Sequence, residues 1–220
     1  MPGAPRHLYS APVADFPLKV SDPAVLGDLE LAIDQEAKIP RALEALGPVA
    51  GQRVVLLDCD RGVRQAQLQA LGARVSAVPG LSTVGLPRGL ADVVVSFWAG
   101  FRGGAADTEA QIREAEHVLR PGGRLLVVHD YGRDEVSQLL GDEAQEREQV
   151  AWSRRDGWFL LHDFKVRVLH CWWTFESLEK AHDVLVSGFG APGTRVAQQM
   201  RRPRIAHKVA VYHRTLAGDA

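Results

Sequence analysis

An α/β fold with a mainly parallel sheet of about six strands follows from three features of this 220-residue chain. Short apolar runs alternate with helix-spaced amphipathic segments along most of its length. The runs Val54-Val55-Leu56-Leu57, Val93-Val94-Val95 and Leu125-Leu126-Val127-Val128 show no polar alternation, as expected of strands covered on both faces. Pro and Gly punctuate the joins between these segments.

The elements follow in order. Residues 1 to 22 are rich in Pro and Ala and read as an extended arm. Asp22 and Pro23 supply an N-cap and a first helical residue, and Val25, Leu26, Leu29, Ala32 and Ile33 keep helical spacing. Pro40 interrupts or restarts that helix, which stops at Gly47-Pro48. Arg53 to Asp58 is a buried strand ending in an acid, Val63 to Leu71 a helix stopped by Gly72, and Ala73 to Val78 a second strand. Together they form a right-handed βαβ unit. Ala91 to Phe97 is the next strand, followed by a helix capped by Asp107 or Thr108 and running to Leu119. Pro121-Gly122-Gly123 turns into a strand over Gly123 to His129, and a helix is expected over Asp134 to Leu140. Glu143 to Leu161 reads as helical or mixed. Phe164 to Trp173 alternates cleanly, as at a sheet margin. Thr174 or Ser177 caps a helix through Leu185, a short helix covers Pro192 to Met200, and His207 to His213 is the last strand.

Bulk composition narrows the function classes. The net charge of −1 gives no global field toward nucleic acid or membrane. Residues 151 to 220 carry 11 Lys and Arg against 6 Asp and Glu, a local basic excess that reads as a solvated mixed surface. Cys59 and Cys171 are too few for a disulfide scaffold or a zinc site, and no metal site is expected. No apolar run reaches the ~20 residues that span a bilayer, and the N-terminus lacks a signal-peptide pattern. The expectation is a cytoplasmic protein with a small-molecule substrate and no membrane or nucleic-acid partner. A homo-oligomer is the candidate assembly.

The block from Glu116 to Asp130, with Leu119-Arg120-Pro121-Gly122-Gly123-Arg124-Leu125-Leu126-Val127 at its centre, resembles the corresponding strand segment of class I S-adenosylmethionine-dependent methyltransferases. Leu86-Pro87 followed by Ala91-Asp92-Val93-Val94-Val95-Ser96 resembles another stretch of that family. The resemblance covers residues 50 to 135 by recognisable strings and 136 to 214 by element order. It implies a single Rossmann-like domain over 1–220, with an arm and helices over 1–50, a core over 51–135 and a C-terminal part over 136–220 that completes the sheet. It also implies a final strand inserted antiparallel. Eight residues between Val78 and Pro87 are too few for a helix and strand, so the third-strand region is expected to be shortened to a loop.

The resemblance further implies S-adenosylmethionine as cofactor, bound at the carboxyl ends of the strands. The family's acid-and-glycine loop aligns with Asp58-Cys59-Asp60-Arg61-Gly62-Val63-Arg64. Asp58 matches the acid and Gly62 the middle glycine, whereas Asp60 and Arg64 stand in place of the first and third. Asp58 or Asp60 is the candidate for the cofactor's ammonium group, with Gly62, Ser96, Phe97 and Trp98 as further cofactor contacts. His129 is the candidate general base, Asp130 its orienting partner and Tyr131 a substrate hydrogen-bonding group. No acid stands at the end of the second strand, where adenosine-binding sites usually hold the ribose. Two functions follow: a small-molecule methyltransferase, or a catalytically inactive methyltransferase-like binding or assembly module.

Overall fold

A computed structural model describes residues 20, 22–57, 62–78, 82–98, 100–101, 105–140 and 157–218. Six strands form one sheet: β1 Arg53–Leu57, β2 Arg74–Val78, β3 Ala91–Phe97, β4 Leu119–Asp130, β5 Lys165–Thr174 and β6 Arg204–Thr215. Their order is β2-β1-β3-β4-β6-β5. The pairs β1/β2, β1/β3 and β3/β4 are parallel, and β6 runs antiparallel between β4 and β5. This is the mixed α/β, Rossmann-like arrangement with an antiparallel last strand that the sequence predicts. Residues 82 to 90, between β2 and β3, carry turns only, as a shortened third-strand region requires.

Helices α1 Pro23–Ala32, α2 Lys38–Ala45, α3 Val63–Ala70 and α6 Leu178–Gln199 cover one face, whose core includes Leu29, Leu43, Val54, Leu56, Leu68, Val95, Leu126, Val128, Trp173 and Leu185. Helices α4 Ala105–Val118 and α5 Trp158–Leu161 cover the other, packing on Val55, Leu57, Val94, Leu125, Val127 and Tyr212. Alternate positions of β1, β3 and β4 divide between the two cores, which is why their apolar runs are uninterrupted.

Local chemistry sets the element ends. The Asp22 carboxylate accepts a hydrogen bond from the Ala24 N–H, with Pro23 in the first turn. The buried Asp34 carboxylate accepts from the Lys38 and Ile39 N–H groups at 2.9 and 2.7 Å, and so starts α2 just ahead of Pro40. Ser177 caps α6. As expected over 177–185 and 192–200, α6 comprises two helical segments, which meet at a kink at Gly190, whose φ of 56° and ψ of −127° leave the helical region.

Three expectations need correction. The helix expected over 134–140 is a 3₁₀ turn over Ser137–Leu140. The Asp134 carboxylate accepts from the Ser137 and Lys208 N–H groups, which ties the segment to β6 and stops it winding further. Strand β4 begins at Leu119 rather than Gly123, and α4 begins at Ala105, ahead of either proposed cap.

Candidate active-site crevice

The parallel strands bring their carboxyl ends to one edge of the sheet. Strand β6 runs the other way, so its first residues reach that edge, and β5 brings its last. Trp98 follows β3, Asp130 ends β4, Trp173 stands near the end of β5 and His207 near the start of β6. Arg64 enters from the first turn of α3, directly after β1.

A buried polar network joins four of these residues. The Trp98 indole Nε1–H donates to Asp130 Oδ1 at 2.9 Å, and His207 Nε2 lies 2.9 Å from the same oxygen. Trp173 Nε1–H donates to His207 Nδ1 at 3.1 Å. An indole N–H can only donate, so Nδ1 accepts and Nε2 carries the hydrogen toward Asp130. The Trp98 and His207 rings stack with centroids 5.9 Å apart. None of the four is more than 6% exposed. Trp98 has φ +53°, a costly conformation for a bulky residue, and the bond to Asp130 together with the packing holds it there.

The predicted site residues separate in an informative way. Successive side chains of a strand face opposite ways, so His129 and Asp130 lie on opposite sides of the sheet. Asp130 meets Trp98 and His207, whereas His129, fully buried, packs with its ring 5.9 Å from that of Phe159. The expectation that Asp130 orients His129 is therefore corrected: the histidine that Asp130 holds is His207. Tyr131 is half-buried just beyond β4, beside the Phe159 core. Ser96 and Phe97 are enclosed on opposite faces of β3, Phe97 on the side of Trp98. Asp58 and Asp60 lie outside the described residues.

Two observations test how a nucleoside cofactor would fit. Gly62 has φ +78°, and among the described residues nothing stands within 4 Å of the place a Cβ would occupy, which leaves its backbone open on that side. Arg64, in the third glycine's place, lies across the same crevice. Its guanidinium carbon sits 5.5 Å from the Phe97 ring centroid and 5.4 Å from that of Trp98, and Nη1 donates to Gln67 Oε1 at 2.9 Å. The residue is 1% exposed. Gly62 fits a backbone approach by such a ligand, whereas Arg64 fills the space beside Phe97 and Trp98.

Sequence reasoning did not single out His207, and Trp173 stood out only as half of the adjacent Trp172-Trp173 pair, one member of which must be core. The signal was available, because an antiparallel last strand must bring its first residues to the carboxyl edge. A groove of about 340 Å³ beside β1 and β2 lies elsewhere, toward the amino-terminal ends of the strands. Its arginines are engaged: Arg74 with the Gly51 carbonyl, Arg53 with Asp92. Among the described residues no cluster of His, Cys, Asp and Glu could hold a metal, and no helix is long and apolar enough to cross a membrane. Burial pushes the Cys171 thiol up to about 12, which keeps it protonated and inert.

Solved structures share this architecture at low identity. MccD protein aligns with a TM-score of 0.51 at 9% identity, over 82% of this chain and 99% of its own. An S-adenosylmethionine-dependent methyltransferase from Aquifex aeolicus aligns at 0.48 and 14%, over 88% of this chain and 98% of its own. Another from Mesorhizobium loti aligns at 0.41 and 17%, over 78% and 96%. No family model and no curated protein sequence matches the chain. At such identities the likeness is one of fold. Strand order and the antiparallel β6 agree with it, and the chain has a mixed α/β, Rossmann-like fold that it shares with MccD protein.

Proposed function

We propose that the chain is an S-adenosylmethionine-dependent methyltransferase acting on a small molecule. The observation that carries this reading is the convergence, at one sheet edge, of Gly62 with its open backbone face and of Trp98 held rigidly by Asp130 and His207. The cofactor would supply an electrophilic methyl group. The chain's part is to bind and orient: Gly62 by backbone approach, Asp58 or Asp60 through the ammonium group, and Phe97 and Trp98 by their ring faces. Ser96, buried on the opposite face of β3, supports that strand end. Catalysis of this kind rests on proximity and alignment more than on proton transfer. Tyr131 is the proposed acceptor-side hydrogen-bonding group. His129, fully buried with its ring 5.9 Å from that of Phe159, takes no part in this reading.

The competing reading is a methyltransferase-like module without catalysis, and the observation in its favour is the burial of Arg64 in the crevice. Calorimetric titration with S-adenosylmethionine and S-adenosylhomocysteine separates the two. Micromolar binding that Asp58→Ala abolishes supports the enzyme. Absence of heat up to millimolar ligand, with the protein folded, supports the module and directs attention to protein partners.

A further inference from the structure

The residue in the third glycine's place is neither absent from the crevice nor exposed at its rim. Arg64 stands in the first turn of α3, where a helix presents its positive end, so a guanidinium there has the wrong sign for the local dipole. Yet it is 1% exposed, and its planar head lies over two aromatic rings. The surroundings explain how this placement is tolerated. Phe97 and Trp98 offer their π faces to the cation, and Gln67, one turn on along α3, accepts from Nη1. Trp98 cannot turn away to make room, because Asp130 holds its indole nitrogen and His207 stacks on it. The partner able to move is therefore the arginine, a long side chain with several rotatable bonds, and not the aromatic wall.

We propose that Arg64 is a resident competitor for the cofactor and sets the affinity of this crevice for it. This rests on the cofactor reading above. The guanidinium occupies the space against Phe97 and Trp98, which on that reading is where the cofactor's nucleoside stacks. Binding and the buried position of Arg64 then exclude each other. The ligand is seated only when the side chain rotates out past the open backbone of Gly62, and the cation–π attraction given up in that rotation is subtracted from its affinity. The same planar head explains the ligand class that displaces it: the flat adenine base, common to S-adenosylmethionine and S-adenosylhomocysteine, offers the two rings equivalent stacking.

The test is titration of S-adenosylmethionine and S-adenosylhomocysteine into the wild-type chain, Arg64→Gly, which restores the glycine, Arg64→Ala, which keeps helix propensity, and Arg64→Lys, which keeps the charge without the planar head. Thermal unfolding of each confirms that it is folded. The expected order of affinity is Gly and Ala above Lys, and Lys above wild type, with Gly and Ala tighter than wild type by about tenfold or more. Affinity that is unchanged or weaker in the Gly and Ala variants overturns this inference and leaves the cofactor reading standing, with Arg64 as a contact to the ligand. Folded proteins that all fail to bind up to millimolar ligand overturn both.

Discussion

At one side of the sheet β5 and β6 run for 10 and 12 residues, and their inner faces bury Cys171, Trp173, Ile205, His207, Val209 and Val211. At the other side β2 runs for 5 residues, most of them exposed, and residues 82 to 90 ahead of β3 carry turns only. The first side carries Asp130, His207 and Trp173 in a continuous chain of hydrogen bonds. The second is the side where the resembling family places the nucleoside, and it lacks a ribose acid and carries Arg64 where a glycine is expected. The β4–β6–β5 side is thus built rigidly, whereas the β1–β2 side is reduced to what Arg64, Gly62 and the adjoining turns provide.

Trp173→Ala strikes the rigid side hardest. It empties a fully buried indole site and removes the donor to His207 Nδ1, so a loss of about 3–5 kcal/mol is expected in denaturant or thermal unfolding. A loss under about 1 kcal/mol would mean that the β5–β6 side is looser than its packing indicates. Asp130→Ala comes next. It leaves the Trp98 and His207 N–H donors buried without their acceptor, at a cost of about 2–4 kcal/mol, while Asp130→Asn keeps one acceptor oxygen and costs less.

The pH dependence of stability offers a check on the strands' amino-terminal end. Burial raises the Asp92 carboxyl, but hydrogen bonds from the Arg53 backbone and side chain, with the charges of Arg120 and Arg53, outweigh it and hold it below its ordinary value of 3.8. A carboxylate lowered on folding binds fewer protons in the folded state, so it contributes stability above that value and loses it as the pH falls through the lowered one. Asp92→Asn is expected to flatten the acid limb of the stability curve. An unchanged acid limb would mean that Asp92 contributes no proton-linked stability. Least affected is β2, where Ala77→Lys on the exposed edge is expected to change stability by less than about 0.5 kcal/mol.

Much of the fold is legible in the sequence because burial on both faces writes uninterrupted apolar runs. Strand β3 is legible to the residue as Ala91 to Phe97, and the antiparallel final strand and shortened third-strand region follow from the family strings and from chain length. Less legible is whatever depends on two elements meeting. The pairing of Asp130 with His207 needs the register between β4 and β6, which no local pattern encodes. The placement of His129 behind β4 follows from strand alternation, yet adjacency in sequence suggests a pair. Arg64 is visible as a departure from the glycine pattern, but its burial against Phe97 and Trp98 is not. Trp172 and Trp173 divide as alternation requires: Trp173 is in the core, and Trp172 is half-buried on the other face under the Arg204 guanidinium at 4.3 Å.

Whether Arg64 and the nucleoside compete for one aromatic wall is decided by a crystal structure of the chain grown with S-adenosylhomocysteine. Nucleoside density is expected between the start of α3 and the Trp98 indole, with Trp98, Asp130 and His207 unmoved and the Arg64 guanidinium rotated off both rings. A ligand bound with Arg64 still stacked on Phe97 and Trp98, or crystals that take up no ligand at millimolar concentration, would contradict it.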